Sequence, residues 1–198
     1  MEIFSRRCSR ACRGTAALRQ IANCGSVLGA LVDCRNSVGL SSWPRENASM
    51  TNEARPAVVT ALIRLAGSPD YRDRADAGRS LASFAEMPEA RGPLVGLVLD
   101  AADTFVTRAT AEALLRRQDY AGFAVVASAL AAADPDHADW IHAAVLDVFG
   151  VFSGDRDAAM RECEALARAA DEQARRGAGQ LAGMLAVINP ILRSAQND

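Results

Sequence analysis

The sequence contains no lysine: all 22 basic residues among its 198 are arginine. We interpret this as the codon bias of a GC-rich genome, which favours a bacterial source. Aromatic residues make up only 5% of the chain. The core must therefore consist of alanine, leucine and valine, whose small size and helix propensity suit closely packed helices. No segment reaches the ~18 apolar residues that a membrane-spanning helix needs.

Histidine is also scarce, and the common catalytic motifs are missing. The two histidines, His137 and His142, are five residues apart, so a helix places them on different sides and they cannot share a metal ion. His142 could ligate together with Asp139, but a site needs three or four convergent ligands. There is no P-loop, nucleophile elbow, dinucleotide-binding glycine motif or zincin motif. We therefore expect no cofactor, no metal and no catalytic residue.

Charge and cysteine both divide the chain near residue 49. Residues 1–49 hold seven arginines against three acidic residues, a net charge of +4, whereas residues 50–198 hold 15 against 21, a net charge of −6. An acidic body repels phosphate backbones and argues against a nucleic-acid-binding protein. Four of the five cysteines also precede residue 50, which leaves Cys163 alone. A lone cysteine on a helix suits a reducing cytoplasm, where it packs as a small hydrophobe.

Residues 1–49 show no sustained helical period, and we expect them to be irregular or disordered. The abrupt change in composition favours Met50 as the true start of the protein. Two alternatives stay open. The arginine-rich, acid-poor segment resembles an organelle transit peptide. Its cysteines would otherwise form a zinc knuckle, although they include no Cys-x-x-Cys pair and no histidine accompanies them.

Residues 50–198 contain eight segments with helical spacing of apolar residues and no convincing strand. Glycine, proline and aspartate separate these segments, and the short connections predict antiparallel neighbours. The sixth segment is apolar on so many sides, through Leu146, Phe149 and Val151, that we expect it in the middle of the stack. The predicted helices run from Thr51 or Asn52 to Ala66, and over 71–85, 88–99, 104–117, 120–133, 135–152, 155–176 and 180–189.

Pieces of the sequence recur at an offset of 34 residues. Arg74-Ala-Asp-Ala77 aligns with Arg108-Ala-Thr-Ala111, and Leu81, Leu115 and Phe149 follow one another at the same offset. A period of this length is typical of helical solenoids, in which each hairpin buries its apolar face against its neighbours. We therefore predict an all-α fold, a right-handed α-solenoid of antiparallel helical hairpins with about eight helices.

Residues 88–115 resemble the HEAT-repeat family, in particular its short bacterial type. The family pattern is an early proline, an aspartate-rich turn, a Val-Arg pair and an alanine-rich second helix that ends in leucine. Here the arginine lies one place late. Residues 56–84 match less closely, residues 119–149 keep the shape of the repeat, and residues 155–193 match only as a closing hairpin. The matching residues are Pro93, Asp100, Asp103, Val106, Arg108 and Ala109 to Leu114.

The resemblance implies a protein-binding scaffold whose contact surface is the ridge of second helices. The aspartates and arginines of the motif are also suited to bond between repeats, which is their commoner role. Tyr71, Tyr120 and Trp140, near helix starts, could anchor a partner. We expect the partner protein to contact Arg72, Arg74, Arg79, Arg108, Glu112, Asp139 and His142.

Three other functions remain open. Some HEAT-like proteins are alkylpurine DNA glycosylases, but these need a basic, aromatic-rich concave face that an acidic body does not supply. Others are phycobilin lyases, which need a pocket for a tetrapyrrole. A third possibility is an immunity protein that binds a toxin.

Overall fold

The computed structural model describes residues 54–193, and within this range the chain forms eight α-helices and no β-strand. The prediction of an all-α fold with about eight helices is therefore confirmed. The predictions for residues 1–49, and for a helix cap at Thr51 or Asn52, lie outside the described residues. The helices are α1 (Ala54–Ala66), α2 (Tyr71–Ala82), α3 (Pro88–Val98), α4 (Thr104–Leu115), α5 (Tyr120–Leu130), α6 (Pro135–Phe149), α7 (Ser153–Leu166) and α8 (Glu172–Val187).

Aspartate sets the start of most helices. A carboxylate at the N-cap accepts hydrogen bonds from the first free backbone amides and complements the positive end of the helix dipole. At α4, for example, Asp103 accepts from the amide of Phe105 at 2.8 Å. Five helices begin in this way, at Asp70, Asp103, Asp119, Asp134 and Asp171.

The predicted boundary between the last two helices is wrong. The chain breaks at Ala167 to Asp171, ten residues before Gly177, where we expected the break. Asp171 accepts from the amides of Gln173 and Ala174, which restarts the helix there. Gly177 lies inside α8 because its lack of a side chain lets the helix approach the backbone of Ala127 in α5. The glycine therefore serves packing and does not end a helix.

The helices pack in two rows. In the first-helix row, α3 lies between α1 and α5, and in the second-helix row, α4 lies between α2 and α6. The last hairpin departs from this order, since α8 packs along α5 and makes little contact with α6. Gln173 of α8 donates to the carbonyl of Ser128 near the end of α5 at 2.9 Å. The two rows therefore continue through six helices, and the seventh and eighth are arranged differently.

The sixth helix does not lie at the centre of the packing. Helix α5 has that position, with α3, α4, α7 and α8 around it, and seven of its eleven residues are buried. Leu146 of α6 is 45% exposed, and Phe152, which follows α6, is 52% exposed. The expectation drawn from the apolar breadth of the sixth segment was therefore wrong. None of the helices in residues 54–193 is long and apolar enough to cross a membrane.

Cys163 lies in the core on α7, and only 2% of it is exposed. Burial, together with the neighbouring charges of Glu162 and Glu164, raises the pKa of its thiol to about 12. Because the thiolate is the reactive form, we expect Cys163 of the native protein to resist iodoacetamide at pH 8 and to react after denaturation. Peptide mass mapping, which separates Cys163 from the four cysteines before residue 50, checks this result. Rapid alkylation of Cys163 in the native protein would contradict its placement.

Candidate functional site

The strongest polar contact between hairpins joins Arg74 of α2 to Asp100 in the loop before α4. Arg74 donates from Nε to Asp100 Oδ2 at 2.7 Å and from Nη2 to Oδ1 at 3.2 Å, and Nη1 donates to the carbonyls of Ser68 and Pro69 at 3.0 Å each. The two side chains are 11% and 9% exposed. Arg74 therefore ties the loop before its own helix to the loop of the next hairpin.

Asp100 also holds its own loop together. It accepts from the amides of Ala102 at 3.0 Å and Asp103 at 2.8 Å. The same loop contacts the third hairpin, because Nε2 of His137 lies 3.3 Å from the carbonyl oxygen of Asp100. Nδ1 of His137 lies 2.7 Å from the carboxylate of Asp134, and this hydrogen bond raises the pKa of His137. Consecutive hairpins are thus joined loop to loop.

A second set of contacts crosses between the helices. Arg108 of α4 donates from Nε to Asp147 of α6 at 2.9 Å and forms the expected pair with Glu112 at 3.3 Å. Arg117, after α4, donates to the carbonyl of Ala82 at 2.7 Å and pairs with Glu86 at 3.1 Å. Arg74 and Arg108, which are 34 residues apart, therefore each bond to the hairpin that follows their own.

These contacts make the stability of the protein depend on pH. Burial of Asp100 opposes its ionisation, but the hydrogen bonds from Arg74 and from the amides of Asp103 and Ala102 outweigh burial and lower its pKa. The hydrogen bond from Arg117 likewise lowers the pKa of Asp119. A carboxyl group whose pKa is lower in the folded chain stabilises the fold above its unfolded pKa of about 3.9, and this contribution is lost as the pH falls through the folded pKa.

We therefore expect the free energy of unfolding to fall as the pH is lowered from about 5 towards 2. An Asp100→Asn variant should lose less stability over the same interval, because one of the responsible carboxyl groups is gone. Urea titrations at fixed pH values measure both curves. Parallel curves for the variant and the unmodified protein would show that Asp100 does not contribute.

An open depression of about 580 Å³ lies on the second-helix row, where α2 and α4 begin. Two aromatic rings form its apolar part: Tyr71 and Phe105 meet edge to face, with centroids 5.9 Å apart. They are 36% and 46% exposed. The depression is lined by Tyr71, Arg72, Asp76, Arg79, Asp103 and Phe105.

Two guanidinium groups lie over these rings. The Arg72 Cζ atom is 5.4 Å from the centroid of Tyr71, and the Arg79 Cζ atom is 5.2 Å from that of Phe105. Arg72 donates to the Tyr71 hydroxyl at 3.1 Å and has no carboxylate partner among the described residues. Arg79 pairs at 3.0 Å with Asp76, whose side chain is 70% exposed. Both guanidinium groups therefore keep donors that face solvent.

The predicted site residues separate into three groups. Arg72 and Arg79 line the depression, whereas Arg74, Arg108 and Glu112 are engaged in the contacts between or within helices described above. Asp139 is exposed on α6. His142 is half-buried on the same helix, and its Nε2 atom is buried without a hydrogen-bond partner. The seven residues thus do not form one cluster.

Sequence reasoning missed Phe105. Its signal was present, because Phe105 stands 34 residues after Tyr71, at the offset of the repeat. Trp140 stands 35 residues further on, near the start of α6, and is 39% exposed. The three helices of the second-helix row therefore each carry an exposed aromatic residue near their first turns. Within residues 54–193, no group of three or more histidine, cysteine, aspartate or glutamate side chains is arranged to hold a metal ion.

The sequence matches no protein-family model and no curated protein. A solved structure described as the crystal structure of an engineered protein is similar at 20% sequence identity, with a TM-score of 0.29. The match covers 67% of this chain and 64% of that chain, so it spans less than two thirds of the engineered protein.

Proposed function

We propose that residues 54–193 form a right-handed, HEAT-like solenoid that acts in a bacterial cytoplasm by binding another protein, without catalysis. The observation that carries this proposal is the depression on the second-helix row, where two exposed aromatic rings lie beneath two guanidinium groups. Tyrosine, tryptophan and arginine supply most of the energetic anchors at protein interfaces, which is why this surface is the best candidate for binding.

The contacts between hairpins support the stacking. In a solenoid each repeat touches only its neighbours, so polar groups at equivalent positions should bond from one repeat to the next. Arg74 to Asp100 and Arg108 to Asp147 follow this pattern. The departure of α8 from the two rows agrees with a closing hairpin, since such a hairpin covers the end of a stack and does not extend it.

The same contacts narrow the binding surface. Arg74 is buried and uses its donors within the protein, so it is a positioning residue and does not meet the partner. Arg72 and Arg79 are exposed beside aromatic rings, in a depression whose only carboxylates are those of Asp76 and Asp103. A partner would place apolar side chains on Tyr71 and Phe105 and acceptor groups against the two arginines.

Quantitative affinity capture from the native cell tests this function. The full-length chain serves as bait beside an Arg72→Glu/Arg79→Glu variant, which reverses both charges without touching a buried residue. We expect the unmodified bait to retain at least one protein reproducibly and the variant to retain roughly a tenth as much or less, a loss equivalent to about 1.4 kcal/mol.

The matched control is Arg91→Glu, an equally simple charge reversal at an exposed position of α3 in the first-helix row. It should retain the partner as the unmodified chain does. Partners that are held equally well by all three baits would place binding elsewhere on the protein. If no bait retains a protein reproducibly, the proposed function is wrong.

A further inference from the structure

A group of exposed apolar side chains lies where α6 ends and the described chain ends, and we call it the end cluster. Its most exposed members are Ile191 at 80% and Val187 at 74%, followed by Phe152 and Leu192 at about half exposure. Apolar side chains this exposed are usual when single but not when adjacent. The end cluster comprises Leu146, Val151, Phe152, Val187, Ile191 and Leu192.

Backbone hydrogen bonds bring the two halves of the end cluster together. The amide of Ile191 donates to the carbonyl of Gly150 at 3.1 Å, and the amide of Leu192 donates to that of Val151 at 2.7 Å. Phe152 and Leu192 form a parallel β-bridge. Leu146 and Val187 each lie one helical turn before these segments, on the same helix face as Gly150 and Ile191 in sequence spacing.

The end cluster is large enough to form the centre of an interface. Six half-exposed to mostly exposed aliphatic and aromatic side chains present several hundred Å² of apolar surface, in the range that marks an interaction site. Two such surfaces, with a polar rim, reach the roughly 1,000 Å² in total that a specific interface requires. The polar segment Ser194 to Asp198 that follows offers no apolar side chain larger than alanine to cover it.

Charge indicates which partner fits. Residues 50–198 carry a net charge of −6, so two copies repel each other over most of their surfaces. Residues 150–152 and 187–192 contain no charged side chain. A two-fold axis through the end cluster would bring each patch onto its own equivalent, so that apolar surface meets apolar surface and no like charges meet at the centre.

We propose that two copies of this chain pair through the end cluster. The depression that contains Tyr71 and Phe105 lies on α2 and α4, whereas the end cluster is built from the ends of α6 and α8 and the segments after them. Pairing therefore leaves the depression of each copy accessible, and the dimer presents two of them.

Sedimentation velocity of the full-length chain between about 1 and 100 μM tests the pairing. We expect a mass near twice the chain mass of 20.9 kDa at the upper concentrations. Two single variants, Ile191→Asp and Val187→Lys, place a charge at the most exposed positions of the cluster. Each should raise the dissociation constant by roughly 100-fold or more, because a charge in an apolar interface is left unpaired.

Circular dichroism shows which variants remain folded, and one folded variant is sufficient for the comparison. Tyr120→Asp is the matched control, since Tyr120 of α5 is 48% exposed and lies outside the cluster. This control should dimerise as the unmodified chain does. The proposal is overturned if the unmodified chain stays monomeric at all concentrations, as it would with residues 1–53 or another protein over the cluster. It is also overturned if a folded variant dimerises with unchanged affinity.

Discussion

Replacing Gly177 by alanine should lower the free energy of unfolding by about 3 kcal/mol or more, because the added methyl group overlaps backbone and not a flexible side chain. An ideal Cβ at position 177 would lie 1.7 Å from the carbonyl oxygen of Ala127 and 2.4 Å from its carbonyl carbon. Helices α5 and α8 would have to separate along the contact that holds the last hairpin to the rest of the fold. Urea denaturation measures the change.

The same helix provides the control. Gly179 and Gly183 also lie in α8, and an ideal Cβ at either position meets nothing within 4 Å. Alanine there should stabilise the protein by up to about 1 kcal/mol, because alanine has the higher helix propensity. If Gly177→Ala behaves like Gly179→Ala, α8 does not pack against α5 in this register.

Replacing Asp100 by alanine should have the second large effect, a loss of about 3 kcal/mol. The substitution removes the carboxylate that accepts from Arg74, Ala102 and Asp103. The guanidinium of Arg74 is then left without its anion in a position where only 11% of the side chain is exposed. The α3–α4 loop also loses the group that organises it.

Asp76→Ala is the matched control for Asp100→Ala. It removes a carboxylate from an arginine pair in which the side chains are 45% and 70% exposed, so the stability should change by no more than about 0.5 kcal/mol. A double-mutant cycle that adds Arg74→Met isolates the coupling between Arg74 and Asp100. If the two substitutions contribute additively, the pair does not join the hairpins.

The sequence predicted the fold where local chemistry decides it. The starts of α2, α4 and α5 follow from an aspartate cap before an apolar stripe. The prediction failed where a distant contact decides, as at Gly177, whose role depends on the backbone of Ala127 some 50 residues earlier in the chain. Periodicity also could not show that α8 would take a place against α5 and leave Leu146 uncovered.

The site was predictable only in part for the same reason. Arg72, Arg74 and Arg79 are similar in sequence, yet Arg74 is buried against Asp100 while the other two lie over aromatic rings. Nothing local to α2 distinguishes them, because the difference is made by residues 26 or more positions away. Phe105 could have been found by extending the offset of 34 from Tyr71.

The account assigns one set of arginines to holding hairpins together and another to binding a partner, and one crossed measurement tests this division. Partner retention per folded molecule is measured at low temperature for Asp100→Ala and for Arg72→Glu/Arg79→Glu, beside their melting temperatures. We predict that Asp100→Ala melts lower and retains the partner, whereas the double variant melts normally and loses it. The reverse result, or both variants losing stability and binding together, would contradict the account.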